Sequence, residues 1–528
     1  MSESTLEAPS ATAPTISERR RARKRSPLSF VLAYPWWIVG LALVGVSIAL
    51  VQWGNTRPGY DPYGWLVWGY QTLHLSLDLG GAPSWKPLPY FFTVPFALFG
   101  HYELKLWMFT SVLVSLSGTI FAARIAYRLV GMRAGIGVRA ADGVSAADGV
   151  RAGEGVSAAD RIPAILAAVF AGLGLLGIEQ YIHFILSVQA DTMIVALCLA
   201  AIDMHLSGHP RWALFFGVLA SIGRPEAWAW LAPWTLWMWF KNPPLRRLLV
   251  AGWVFILFMW FGVPTITNGR PLLAEQLALR SPRSIHGENK IIGTFHRFTE
   301  LTYLPFQLLA LFAAAVAYLR RNWTVLALAA GAVVWVVVET ILVLRGLPGV
   351  PRYMFEAAGV TVVVAAVGIG WILRESLKAA ARAPRWAGVA LVAAICAVMV
   401  PAAVSRLRAE RTDLKHERGR TKVIGQLQAS ITHVGGYRVV RYCGEPVTDI
   451  EYASILAFFT KLNVGLVGYL PHREIRSGKP IVLFTQLPNG WLVQPIHTAP
   501  THAASCARIK AYWIYTPRHP SGVLYPRH

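Results

Sequence analysis

Long apolar runs separated by basic loops constrain the fold of this chain more than any other feature. Crossing a ~30 Å hydrocarbon core takes about 20 apolar residues in a helix. Several runs approach that length and others fall short of it. The candidate runs are 30–52, 103–130, 163–177, 192–206, 211–222, 226–240, 248–266, 304–318, 323–344, 355–373 and 386–404. The sequence therefore predicts an α-helical polytopic membrane protein with about 11 transmembrane helices.

The composition excludes an ordinary soluble protein. Of 528 residues, 55% are hydrophobic and only 15% are charged, whereas soluble domains carry about 25% charged residues. The formal net charge of +23 invites a nucleic-acid partner, but no module of basic and aromatic residues supports one. Basic residues at the cytoplasmic ends of spans, and attraction to anionic lipid, explain much of the charge. We expect membrane lipids, and no nucleic acid, as partners.

Charge placement predicts the topology. Residues 1–28 are rich in Ser, Ala and Pro and end in a basic stretch, which predicts a disordered cytoplasmic tail. The first apolar run lacks a small-residue cleavage site and is interpreted as a retained span. An odd number of spans then places the C-terminus outside. The localisation expected is the cell membrane, multi-pass, with a membrane domain over residues 29–405.

Residues 131–162 form a low-complexity loop on the expected cytoplasmic side. The sequence GVRAADGVSAAD is followed directly by GVRAGEGVSAAD. A six-residue period is compatible with a parallel β-helix, but this repeat has no packed face with which to bury a core. We interpret it as a flexible linker.

The composition changes to that of a small soluble domain over residues 406–528. Helices are predicted at 421–432 and 450–462, and strands at 437–442, 464–470, 480–486, 491–495 and 510–515. The expected result is a small α/β extracytoplasmic domain. Cys443 and Cys506 could pair if this domain lies outside, and free thiols are the alternative.

The first extracytoplasmic loop, residues 53–102, is rich in aromatics and also carries acids and a lone Lys. It predicts two juxtamembrane helices, 62–74 and 87–99, too short to span a bilayer. The aromatic residues of the first helix are typical of a membrane interface. Asp61, at the start of that helix, can take a proton from an incoming hydroxyl. A helix N-cap before Pro62 is the alternative.

Other loops supply candidate binding residues. Lys86 could hold a phosphate or snorkel at the interface. Arg224 and Glu226, in GRPEAW, lie at the tip of a hairpin formed by 211–222 and 226–240, or in one helix kinked at Pro225. Charges at such a tip are costly unless they pair or face a polar cavity.

The remaining candidates lie on three further outer segments. Asp191 ends the loop EQYIHFILSVQAD. Arg297 belongs to a strongly basic loop, 267–303, for which an anionic ligand or an incorrect topology are the two explanations. Arg352 and Tyr353 end the sequence GLPGVPRY and place a cation and a phenol at a span end.

We expect no cofactor and no catalytic metal, with a divalent metal as the less favoured alternative. Asp203, His205 and His209 are close in sequence, but no HExxH or CxxC spacing occurs. A Walker loop, a GxGxxG after a strand and a GxSxG elbow are also missing from the sequence, which argues against nucleotide-driven transport and hydrolase chemistry.

With these residues identified, the chain resembles the multi-spanning C-type (GT-C) glycosyltransferases over about residues 30–405. The resemblance lies in the large first outer loop with its early acid in GYDPYGW, and in SWKPLPY, GRPEAW and PRYMF. Many relatives carry an Asp-Asp or Asp-Glu pair in the first loop, whereas Pro62 follows Asp61 here. The second acid must then come from elsewhere. The candidates are Asp78, Glu179, Asp191 and Glu226.

The resemblance implies transfer of a hexose or pentose from a polyprenyl-phosphate donor to an envelope glycan, lipid or protein acceptor, with inversion. Asp61 would activate the acceptor hydroxyl. Lys86, Arg224, Arg352 and an outer-loop arginine such as Arg297 would stabilise the departing phosphate. A membrane transporter or lipid flippase is the alternative, although the internal repeats of spans typical of transporters are not evident. A non-enzymatic envelope scaffold is a third interpretation.

Overall fold

The computed structural model describes residues 36–81, 85–131, 158–279, 285, 288–379, 381–516 and 519–525. The predicted tail 1–28 and most of the loop 131–162 lie outside the described residues. Helices dominate the described chain. They are α1 (Trp36–Gly54), α2 (Tyr60–Leu73), α3 (Pro87–Ala97), α4 (Glu103–Gly131), α5 (Ala158–Leu176), α6 (Tyr181–Leu186), α7 (Ala190–Leu206), α8 (Pro210–Gly223), α9 (Trp228–Lys241), α10 (Arg246–Leu257), α11 (Val263–Asn268), α12 (Leu273–Leu279), α13 (Lys290–Leu301), α14 (Leu304–Leu319), α15 (Trp323–Leu344), α16 (Phe355–Lys378), α17 (Arg382–His433), α18 (Tyr437–Cys443), α19 (Ala453–Thr460), α20 (Pro471–Arg476) and α21 (Ala503–Ala507).

Apolar helices confirm the prediction of an α-helical multi-pass membrane protein. Within the described residues, six helices are long and apolar enough to cross a membrane, and the pair α13 and α14, bent by 98°, would be a seventh. Helices α5, α7, α8, α9 and α14, of 14 to 19 residues, coincide with the shorter predicted runs. With these shorter helices included, the apolar helices among the described residues are roughly consistent with the predicted count of about 11.

Helix α16 forms the centre of the membrane part. It is apolar on all faces and almost completely buried, and it packs against α4, α5, α7, α14, α15 and α17. An apolar helix that is buried all round belongs to the interior of a bundle. The first turn of α16, and the Pro351–Met354 turn that precedes it, therefore lie where several other helices converge.

The sequence GRPEAW forms the predicted hairpin. Arg224 is extended (φ −147°, ψ 131°) and is followed by a short 3₁₀ turn, Pro225–Ala227. The indole Nε1 of Trp228 donates to the Ser221 carbonyl at 3.1 Å, so α9 returns along α8. Each helix has 14 residues, or roughly 21 Å at 1.5 Å per residue. The tip therefore stops short of a full bilayer thickness and leaves Arg224 inside the protein.

The two predicted helices of the first loop are present as α2 and α3. They touch at Gly69, where an added Cβ would lie 2.5 Å from the Thr93 carbonyl oxygen. The expectation that α2 presents its aromatics to the membrane interface is wrong for the largest of them. Tyr63, Trp65 and Trp68 are fully buried because protein covers both faces of the helix.

The C-terminal region is joined to the membrane part by one continuous helix, α17. The predicted boundary at residue 406 falls inside this helix. Beyond it, a five-stranded sheet has the order β1 (Glu445–Val447), β2 (Ile481–Leu487), β3 (Gly490–Ile496), β4 (Ala511–Thr516) and β5 (His519–Tyr525). β1 pairs with β2 in parallel, and the other neighbours are antiparallel. The predicted small α/β architecture is confirmed.

Two of the predicted strands are wrong. Residues 437–442 belong to helix α18, and 464–470 contain a short 3₁₀ turn, Val464–Leu466. Both stretches are rich in β-branched and aromatic residues, but β-propensity mostly reflects packing on a half-buried sheet surface and is easily overridden. The predicted strands at 480–486, 491–495 and 510–515 correspond to β2, β3 and β4.

Cys443 and Cys506 form a disulfide that joins the end of α18 to α21. Their separation of 63 residues closes a long loop, and cross-links of this length stabilise by about 4 kcal/mol in chain-entropy terms. Among the described residues, Cys198 and Cys396 are free.

We predict that an alkylating reagent adds to two cysteines in the denatured, unreduced protein and to all four after reduction. Mass spectrometry of the intact chain gives the count. The double variant Cys443→Ser/Cys506→Ser should be digested faster in the C-terminal region by a protease, with Cys198→Ser as the matched control. Alkylation of four cysteines without reduction would contradict the disulfide.

Candidate active site

The carboxylate of Asp191 is the centre of a buried charge cluster. It lies in the first turn of α7 and is 0% exposed. The guanidinium of Arg224 donates to its Oδ1, and Lys86 Nζ lies 3.9 Å from the same oxygen. Arg352 Nε lies 3.9 Å from Oδ2. One carboxylate therefore faces three cations from three separate parts of the chain.

Proline next to each cation explains why these side chains reach the site. Lys86 and Arg224 each precede a proline, and both have extended backbone conformations at a helix boundary. Proline disfavours the helical conformation in the residue before it, so each cation stands outside the helix that follows. Arg352 follows Pro351 in the short turn before α16. The chain thus breaks its helices at the three points where a cation is needed.

A second layer of carboxylates surrounds Arg224. Its Nε lies 3.6 Å from Glu356 Oε1, and its NH1 lies 3.9 Å from Glu226 Oε1. Glu339, buried in the middle of α15, completes this layer through its electrostatic interaction with Arg224. The ring of Tyr353 lies under the Arg224 guanidinium at 4.1 Å. Arg224 is therefore enclosed by acids and an aromatic ring.

Asp61 lies at the more open side of the cluster. Its Oδ2 is 3.9 Å from Arg352 NH2, and its side chain is 26% exposed. Helix α2 begins at Tyr60 with Gly59 at the capping position, so Asp61 is in the first turn and does not cap the helix. Arg352 therefore contacts both Asp61 and the buried Asp191.

Tyr60 lies beside Asp61 in the juxtamembrane helix α2. Burial of its phenol, and then the neighbouring Asp61 charge, raise the pKa of Tyr60 above its ordinary value. The phenol is protonated at neutral pH, as a tyrosine ordinarily is.

Several polar atoms of the cluster have no hydrogen-bond partner among the described residues. They are Lys86 Nζ, Asp191 Oδ2, Glu226 Oε2, Arg352 Nε and both carboxylate oxygens of Glu356. Buried polar groups are nearly always hydrogen-bonded in folded proteins. Most of these atoms face an opposite charge at 3.6–3.9 Å without a hydrogen bond, so the cluster keeps hydrogen-bonding capacity that a polar ligand could use.

The predicted site residues separate into two groups. Asp61, Lys86, Asp191, Arg224, Glu226, Arg352 and Tyr353 all come together in the cluster. Arg297 instead pairs with Glu288 at 2.7 Å on a more exposed surface, and none of its described contacts reaches the cluster. Of the four candidates for a second acid, Asp191 and Glu226 join the cluster. Asp78 accepts from Asn268 and Glu179 pairs with Arg406.

Glu339 and Glu356 were missed in the sequence. Glu339 is a lone acid in the apolar run of α15, and an intramembrane acid is by itself a signal of function. Glu356 directly follows PRYMF. Of the sequence triplet Asp203, His205 and His209, Asp203 pairs with Arg124 and Arg128, at 2.8 and 3.4 Å.

The C-terminal region covers α2 next to Asp61. The Ser454 hydroxyl, at the start of α19, donates to the Tyr60 carbonyl, and Asn463 Nδ2 donates to the Asp78 carbonyl at 3.2 Å. The Tyr63 ring packs edge-on against Phe458, with 5.2 Å between ring centroids. The helix that carries Asp61 is therefore held from the membrane side and from the C-terminal side.

Two solved structures of ArnT from Cupriavidus metallidurans are similar to this chain, one bound to undecaprenyl phosphate and one in the apo state. Each is 13% identical in sequence over 92% of this chain and 97% of the other. The TM-scores are 0.49 and 0.48, respectively. No protein-family profile matches the sequence, and the curated proteins contain no match either.

We predict that Asp191→Asn destabilises the protein strongly, because it leaves Lys86, Arg224 and Arg352 without their shared counter-charge. Removing one partner of a buried ion pair costs about 3–5 kcal/mol. Thermal unfolding in detergent, followed by tryptophan fluorescence, measures the loss. Glu300→Gln is the control, because its pair with His296 is exposed and such pairs contribute about 0–1 kcal/mol. Equal stability of the two variants would contradict the shared-carboxylate arrangement.

Proposed function

We propose that this chain is a membrane glycosyltransferase of the C type that transfers a sugar from a polyprenyl-phosphate donor to an envelope glycan, lipid or protein acceptor. One observation carries the proposal. A partly exposed carboxylate, Asp61, and two cations, Lys86 and Arg352, meet over the buried Asp191–Arg224 pair. A base and an anion-binding site next to each other suit displacement of a phosphate by a hydroxyl.

We assign the donor phosphate to Lys86 and Arg352. Their side chains are 13% and 12% exposed, against 4% for Arg224, although the Lys86 Nζ atom is itself buried. Arg224 already lies within 4 Å of three carboxylates, those of Asp191, Glu226 and Glu356, so it holds Asp191 and the Glu356 region in place. Fixed cations aimed at a developing anion are often the largest single contribution to catalysis. The sequence-based expectation gave all three cations the same role, phosphate stabilisation. We now assign that role to Lys86 and Arg352, and a structural role to Arg224.

Asp61 is the candidate general base. Its contact with Arg352 places it beside the proposed phosphate site, and its exposure gives an acceptor hydroxyl access. One base and one phosphate leaving group suit a single displacement with inversion at the anomeric carbon. A lipid-linked donor needs no nucleotide site. The carboxylates of Glu226 and Glu356, whose oxygens include atoms without a hydrogen bond among the described residues, are with Tyr353 the groups we assign to the sugar hydroxyls.

The localisation we propose is the cell membrane, with the N-terminus in the cytoplasm and the C-terminal region outside. The disulfide between Cys443 and Cys506 supports this orientation, because disulfides persist mainly in oxidising compartments. The active-site cluster and the C-terminal region lie against the same first loop, so both belong on the same side of the membrane.

We predict that Asp61→Asn lowers sugar transfer by about 10²–10⁴-fold, the range typical of a lost general base. Membranes holding wild-type or variant protein at equal levels are given labelled polyprenyl-phosphate sugars. Asp449→Asn is the control, because Asp449 is exposed in the C-terminal region. Wild-type transfer by Asp61→Asn would remove Asp61 as the base, while transfer from no donor by the wild type would favour a transporter.

We predict that Ser454→Ala lowers the rate of transfer several-fold and leaves the KM for the donor unchanged. Its hydroxyl holds the Tyr60 carbonyl, and one such hydrogen bond contributes about 1 kcal/mol. Steady-state kinetics separates the two effects. Ser477→Ala, on the exposed end of α20, should behave as the wild type. A rise in the donor KM at unchanged rate would contradict a role in positioning Asp61.

A further inference from the structure

A second polar cluster lies outside the Asp191 site, between α6 and α17. His183 of α6 meets Asp413 and Glu417 of α17, about half the chain away in sequence. The His183 Nδ1 contacts Asp413 Oδ2 directly. One nitrogen or oxygen from each of the three residues lies within 4.8 Å of the others.

The residue types and spacing suit a metal ion. Asp413 and Glu417 are four residues apart on one helix, so their carboxylates lie on the same face. The imidazole comes from a different helix and closes the set from the opposite side. One imidazole nitrogen and two carboxylate oxygens are common ligands of Zn²⁺, with water in the remaining position. Carboxylates alone would favour Mg²⁺ or Ca²⁺, and the imidazole shifts the preference to a transition metal.

Burial and charge strengthen the inference. The Glu417 side chain is 8% exposed, whereas that of Asp413 is 38% exposed. The cluster is therefore buried at Glu417 and open to solvent at Asp413. Glu410 lies beside them and accepts a hydrogen bond from the His183 backbone. The carboxylates of Glu410, Asp413 and Glu417 thus lie near one arginine among the described residues. This is Arg420, which contacts a single oxygen of Glu417. A bound dication would balance the excess negative charge.

We propose that His183, Asp413 and Glu417 bind one Zn²⁺ ion that ties α6 to α17. This departs from the sequence-based expectation of no metal. The ion would act by positioning and not by contact with substrate. Phe184, next to His183, lies 5.4 Å from the Arg352 guanidinium. On α17, Arg418 donates to the Gly54 carbonyl at 2.9 Å, at the start of the first loop. The proposed ion therefore joins two segments that flank the candidate active site.

The test uses the full-length protein in detergent, with any affinity tag removed. The protein is stripped with EDTA and titrated with ZnCl₂ by calorimetry, and retained zinc is counted by elemental analysis after desalting. We expect one equivalent of zinc in the wild type and at least about tenfold weaker binding in His183→Ala and Asp413→Asn, since even outer-shell partners of a metal change its affinity by 10–100-fold. Zinc should raise the unfolding temperature of the wild type and leave that of His183→Ala and Asp413→Asn unchanged.

His296→Ala is the matched control, because His296 also pairs with an acid, Glu300, at an exposed site. It should bind zinc as the wild type does. If His183→Ala fails to fold, Asp413→Asn carries the test, because its side chain is more exposed. Wild-type protein that retains no zinc, or variants that bind it unchanged, would overturn the proposal and leave a plain His183–Asp413 ion pair. Displacement of zinc by equimolar Mg²⁺ would overturn the choice of metal class.

Discussion

The pairing of Asp191 with three cations is the interaction on which the rest of the site depends. A carboxylate with no solvent exposure carries a desolvation cost of several kcal/mol, and only close counter-charges offset it. Here the counter-charges come from the first loop, the tip of the α8–α9 hairpin and the turn before α16. Each of these segments brings a cation to a carboxylate on another part of the chain. The charge cluster therefore couples the packing of three separate segments.

Helix starts add a second electrostatic contribution. Asp61, Asp191 and Glu356 each lie in the first turn of a helix, where the backbone dipole favours negative charge. Three helix N-termini therefore lie at the cluster, where the helix dipoles offset part of the negative charge of its acids. Helix N-termini also bind anionic groups such as a phosphate.

Much of this arrangement was predictable from local sequence, because its parts are marked by local breaks. Lys86, Arg224 and Arg352 each stand next to a proline in an otherwise apolar context, and charges in such places need a reason. What could not be predicted is the convergence of Glu339 and Glu356 on Arg224, since contacts between distant helices leave no periodic signal. Arg297 was included among the candidate site residues because its loop is strongly basic. In the structure, Glu288 of the same loop pairs with the Arg297 guanidinium. Residues 437–442 were misread because packing overrode β-propensity.

The burial of the α2 aromatics bears on the choice between enzyme and transporter. Trp65 packs on Trp107 of α4, Trp68 packs on Trp85, and Tyr63 packs on Phe458 of the C-terminal region. These rings were assigned to the bilayer interface because aromatic content alone does not distinguish lipid from protein as the neighbour. A transporter of alternating access rocks one half of its bundle against the other around its site. Here the helix that carries Asp61 packs against the membrane helices on one side and against the disulfide-linked C-terminal region on the other. A charge cluster held in this way suits stabilisation of a transition state better than passage of a solute.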